Sequence, residues 1–91
     1  MDRFALESGL REACARVVAG QRALLEQRVQ IRELEQCGHD AATARALLRI
    51  YEQSQATNIL DRNRLYRAFT IAAVDDREFF DDDIIDYQLA A

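Results

Sequence analysis

Proline does not occur in this chain of 91 residues, and glycine occurs only at Gly9, Gly20 and Gly38. Nothing therefore obliges a helix to break between Arg11 and Cys37, or between Ala41 and Val74. Lysine and tryptophan are missing too, so all twelve basic residues are arginine. No feature of the sequence accounts for that exclusive use. His39 is the one histidine, so no second imidazole is at hand to complete a catalytic or metal-binding pair. Long uncharged runs are also wanting: Met1-Asp2-Arg3-Phe4 is soon followed by Glu7, Arg11 and Glu12. No signal peptide or membrane span is expected, and the chain reads as cytoplasmic. The two cysteines, Cys14 and Cys37, fall on one predicted helix. At about 1.5 Å per residue they stand roughly 35 Å apart, beyond disulfide reach within one chain. They are read as reduced thiols, buried or half-buried. An interchain disulfide through Cys37 is the less favoured alternative.

What is present is helical periodicity. Leu6, Leu10, Ala13, Val17, Gly20, Leu24, Gln27, Ile31 and Leu34 recur at alternating spacings of four and three, the stripe of a helix packed along a neighbour. A second row of Cys14, Val18, Leu25 and Val29 widens the apolar arc beyond what one partner needs. Glu7 and Arg11, Glu12 and Arg16, and Arg22 and Glu26 stand four residues apart, a spacing worth roughly 0.2–0.5 kcal/mol per pair on an exposed face. Asp2 is a candidate N-cap, Ser8 a second one, and Gly9 weakens the opening turns by about 1 kcal/mol relative to alanine.

The pattern stops and restarts once. Gly38 can adopt the left-handed conformation that closes a helix, and Asp40 can cap the next, with Ala41 and Ala42 opening it. So short an interruption predicts two long helices, about 2–37 and about 41–74, folded back across a turn at 38–40. In the second helix Ala44, Leu47, Leu48 and Tyr51 are expected inside, then Leu65, Tyr66, Phe69, Ala72 and Ala73. Between them the inward positions fall on Ser54, Gln55, Asn58 and Arg62, with Ile59 and Leu60 as the main apolar contribution. Folding at Gly38 sets Leu34 against Ala44, Ile31 against Leu47, Gly20 against Asn58 and Ala13 against Leu65. The polar centre thus meets Gly20, Gln21 and Gln27, a matched layer of the kind that sets register at some cost in stability. A lone hairpin leaves part of each apolar arc in water, forfeiting about 25 cal/mol per Å². Two copies are therefore expected to pair as an antiparallel four-helix bundle.

Residues 75–91 differ in composition. They hold Asp75, Asp76, Glu78, Asp81, Asp82, Asp83 and Asp86 against Arg77 alone, while the whole chain carries only −4, so residues 1–74 are net basic. Phe79, Phe80, Ile84, Ile85, Tyr87 and Leu89 interleave with the acids. Phe80, Ile84 and Tyr87 would share one helical face, with Asp75 or Asp76 as cap. A third, short helix, docked or exchanged between copies, is expected in preference to a segment that folds only on a partner. Phe79, Phe80, Asp82, Asp83, Ile84 and Tyr87 are the residues expected to bind a protein partner.

Catalytic and metal chemistry find little footing. Asp82-Asp83-Ile84-Ile85-Asp86 has the spacing by which prenyl synthases hold Mg²⁺, but those enzymes need a second acidic cluster and a deep cavity. A solvated acidic face is the preferred reading. Cys37, His39 and Asp40 are too few for a closed zinc site, and His39 suits the negative end of the first helix. There is no nucleophile elbow and no phosphate-binding glycine loop. No enzyme, cofactor or metal is expected. Arg62, Arg64 and Arg67, with Arg3 and Arg11 nearby, could instead form a basic patch for RNA or DNA, as in small plasmid-copy-control hairpin proteins. Asp61 within the cluster, the acidic segment and the missing aromatic interleaving weigh against it. This is the alternative to a homodimeric protein-interaction module.

Gly20-Gln21-Arg22, Glu26-Gln27-Arg28, Leu34-Glu35-x-x-Gly38-His39-Asp40, Ala44-x-x-Leu47-Leu48-x-x-Tyr51-Glu52 and Asp61-Arg62-x-Arg64-Leu65 together resemble a family of small bacterial helical proteins of unassigned function. The resemblance spans about residues 18–66 and omits the acidic segment. It implies a helical hairpin and carries no activity.

Overall fold

The computed structural model describes residues 2–76, with side chains as far as Val74. Two α-helices make up these residues, α1 (Arg3–Gln36) and α2 (Ala42–Asp76), packed against each other along their lengths. Each is about 50 Å long at 1.5 Å rise per residue. The expected all-α hairpin is thus present. Where the second helix was expected to end near Val74, it continues through Asp76.

Local chemistry explains the ends. Asp2 has extended backbone (φ −78°, ψ 167°), and its Oδ1 accepts the Ala5 N–H at 2.7 Å. Its carbonyl accepts the Leu6 N–H at 3.0 Å. Asp2, rather than Ser8, is therefore the cap, and α1 runs unbroken through Gly9, which packs against Leu65. At the other end Gly38 sits at φ 73°. The His39 N–H reaches back to the Leu34 carbonyl at 2.8 Å, and the Gly38 N–H to that of Glu35 at 3.1 Å. This pair of bonds is the Schellman motif, which needs the left-handed residue between them. Asp40 Oδ1 then accepts the Ala42 N–H at 2.9 Å, and the Ala41 carbonyl accepts the Arg45 N–H at 2.9 Å, starting α2.

A Cβ at Gly38 would meet nothing within 4 Å, so any penalty there comes from backbone strain alone. Gly38→Ala is expected to cost about 1 kcal/mol in urea denaturation, and Gly38→Asn less, because asparagine tolerates the left-handed region. Equal stability for all three would show that the turn does not depend on this conformation.

The seam between the helices is built from one row on each. On α1, Leu6, Ala13, Leu24 and Gln27 are buried, and Leu10, Val17, Gly20, Ile31 and Leu34 half-buried. On α2, Ala44 and Gln55 are buried, with Leu48, Tyr51, Asn58, Arg62, Leu65, Phe69 and Ala72 half-buried at alternating spacings of four and three. Leu47, Ser54, Leu60 and Tyr66, expected inside, are exposed. Leu47, Ser54 and Tyr66 each lie one position from a seam residue (Leu48, Gln55 and Leu65) and Leu60 two from Asn58 and Arg62, and one step along a helix turns a side chain by about 100°. Choosing between adjacent apolar residues depended on the exact seam, and alternation of four and three picks Leu48 and Leu65.

Candidate functional site

The polar centre of the seam is built around a missing side chain. Gln55 lies across Gly20; a Cβ there would fall 2.0 Å from Gln55 Oε1 and 2.8 Å from its Cδ. Gln55 Nε2 donates to the Val17 carbonyl at 2.8 Å, and Asn58 Nδ2 donates to Gln55 Oε1 at 3.2 Å. Asn58 Nδ2 also approaches the Arg16 carbonyl at 3.4 Å. Nearer the turn, past Leu24 on α1 and Tyr51 and Leu48 on α2, the buried Gln27 donates through Nε2 to the Ala44 carbonyl at 2.9 Å. Among the described residues, no buried side-chain nitrogen or oxygen lacks a partner. Gln21, expected in this layer, is exposed. Each amide binds the backbone of the opposite helix at one height only, so the layer holds the helices in register.

Two ion pairs identify one side of the hairpin. Arg45 pairs with Glu35, and Arg28 Nη2 lies 3.9 Å from Glu52 Oε2. Arg28 and Glu35 each follow a seam residue by one on α1, as Arg45 and Glu52 do on α2. Counting in sevens, Cys14 and Gln21 share the α1 position, and Ile59, Tyr66 and Ala73 share the α2 position. All therefore flank the same side. Next to Cys14 and Gln21 on this side come Val18 and Leu25, four residues on, with Phe4 in the same register; seven residues before Cys14 and Val18 the same two positions hold Glu7 and Arg11.

This side is charged near the turn, exposes Val18, Leu25 and Tyr66 in its middle, and carries the Glu7–Arg11 ion pair towards the open end, before Phe4. Val18 is 62% exposed, Leu25 and Val29 53% each, Tyr66 62% and Phe4 81%. The row of Cys14, Val18, Leu25 and Val29 that the sequence marked as surplus is thus outside the seam throughout. The back of α2 carries another stripe: Leu60, Arg64, Arg67, Ile71 and Val74, all exposed, at spacings of four and three. Sequence reasoning missed it because two arginines interrupt the apolar pattern. The spacing itself was the available signal.

The three arginines of the nucleic-acid alternative do not come together. Arg64 and Arg67 share the back of α2, whereas Arg62 is half-buried on the seam, donating to Asn63 Oδ1 at 3.1 Å through Nη2. Arg3 lies over the Phe69 ring, its Cζ 5.9 Å from the centroid, and Arg11 pairs with Glu7 at 2.9 Å. Neither Glu12–Arg16 nor Arg22–Glu26 forms an ion pair among the described residues. The expected partner-binding residues Phe79, Phe80, Asp82, Asp83, Ile84 and Tyr87 lie outside the described residues. So do the third helix and the Asp-Asp-x-x-Asp run.

Both thiols are free and exposed, not buried or half-buried as the sequence implied. Cys14 is one step off the seam residue Ala13, and Cys37 belongs to the turn. Among the described residues, no group of three or more metal-ligating side chains converges. Neither described helix is long and apolar enough to cross a membrane. A comparison of this chain with protein-family models, curated proteins and solved structures finds no match in any of the three.

Proposed function

We propose that this chain is a non-enzymatic interaction module that works as a homodimer, two hairpins packing into an antiparallel four-helix bundle. The observation that carries the reading is the exposed apolar patch beside the seam, Val18 and Leu25 on α1 next to Ile59 and Tyr66 on α2. Among the described residues, only Leu6, Ala13, Leu24, Ala41 and Ala44 are buried apolar ones, and no large side chain is fully buried. A hairpin with so thin an interior gains most of its available apolar burial from a second copy.

From Phe4 to Leu25 this side runs about 32 Å, and two helices about 10 Å wide present roughly 600 Å² per copy with the Glu7–Arg11 pair included, the lower end of a standard interface. The charged, ion-paired end near the turn would fix how the copies align. Sedimentation equilibrium at micromolar concentration is expected to give twice the chain mass of 10.4 kDa. A well-folded species of single chain mass would refute the dimer.

A further inference from the structure

We infer that the back of α2 is the docking site for this chain's own acidic segment, residues 77–91. The receiving stripe is Leu60, Arg64, Arg67, Ile71 and Val74, in which two arginines stand between apolar ends. All five are exposed, and neither Arg64 nor Arg67 makes an ion pair among the described residues. The segment has the complementary make-up, Glu78, Asp81, Asp82, Asp83 and Asp86 interleaved with Phe79, Phe80, Ile84, Ile85, Tyr87 and Leu89.

The fold supplies the electrostatic reason. Antiparallel packing places residues 3–22 beside residues 57–74, which together hold seven arginines against Glu7, Glu12 and Asp61, with Asp2, Asp75 and Asp76 at the helix ends beyond them. Residues 23–56, nearer the turn, hold four arginines against five acids. The acidic segment follows Asp76, the last described residue of α2, and the nearest arginines outside the seam on that helix are Arg67 and Arg64.

Length allows the return. The stripe spans about 21 Å from Leu60 to Val74. Residues 77–91 would reach about 50 Å if extended, enough for a reversal and a full pass. The stripe lies off the flank assigned to the dimer: Arg64 and Ile71 are about 200° of rotation from Tyr66 and Ala73, and Leu60, Arg67 and Val74 about 100° from Ile59, Tyr66 and Ala73. Docking in cis and pairing of copies can therefore coexist, and the inference does not depend on the dimer.

Hydrogen exchange of the full chain tests it. Amides of residues 79–91 should exchange at least tenfold more slowly than free chain at low salt, and faster as salt is raised. Arg64→Glu/Arg67→Glu, and separately Ile71→Asp, should abolish that protection while the seam residues of α1 stay protected. Free-chain exchange in the unaltered protein, or protection that survives both variants, would overturn the inference. Protection should persist in a monomeric Leu25→Asp variant; loss there would show that the segment docks on another copy, contrary to the proposal. Release of the segment by single-stranded RNA would instead point to the arginines as a nucleic-acid surface. The mass measurement separately reports whether the dimer itself has failed.

Discussion

Replacing Gly20 with leucine is expected to destabilise the hairpin by about 3 kcal/mol, from overpacking of the seam plus a buried amide left without partners. The Cβ would occupy the position of Gln55 Oε1 and press on its Cδ. Gln55 can move, but only by giving up its bonds to the Val17 carbonyl and to Asn58. The sharper signature is a reversal of sign. In a Gln55→Ala background, Gly20→Ala should raise stability by up to about 1 kcal/mol, because the obstruction is gone and glycine costs that much inside a helix. With Gln55 present the same change should gain nothing or lose. Urea titrations at one fixed protein concentration give the four corners of the cycle. A coupling near zero would mean that the close approach of Gln55 to Gly20 does not matter energetically.

Val18→Asp/Leu25→Asp is expected to weaken self-association at least 100-fold, about 3 kcal/mol, since each subunit would bring two unpaired carboxylates into the apolar flank. The variant should sediment as a monomer where the unaltered chain is a dimer, and its melting temperature should lose its dependence on concentration. Ile50→Asp is the control. Ile50 is 56% exposed but lies two residues from Glu52, on the far side of α2 from the ion pairs, so pairing should be unaffected. A dimer that survives the double substitution, or one that Ile50→Asp breaks, would place the interface elsewhere.

Much of the architecture was legible from local chemistry. The α1 seam row appears in the sequence as it does in the structure, because a helix paired along its length imposes one spacing on its apolar residues. Asp2, Gly38 and Asp40 act where their backbone and side-chain preferences place them, each through contacts within a few residues. Folding at one glycine brought Gly20 to the polar stretch of α2, but the register lies about one turn from the expected one: Gln55, more closely than Asn58, faces Gly20, and Leu65 packs on Gly9 and not on Ala13, because register is set by contacts between the two helices.

Other assignments needed the second helix in place. Leu47 versus Leu48 and Tyr66 versus Leu65 differ by a rotation of about 100°, and composition does not distinguish such neighbours. Cys14 reads as apolar in a list of residues, yet the seam passes through Ala13 and leaves the thiol outside. Arg62, Arg64 and Arg67 look like one cluster until packing draws Arg62 to the seam and leaves the other two behind α2. Helix ends, the turn and the heptad row are properties of short stretches, and the order of residues suffices for them. Which flank stays bare depends on how two rods lie against each other, and that follows from packing of residues more than thirty positions apart, such as Gln55 on Val17.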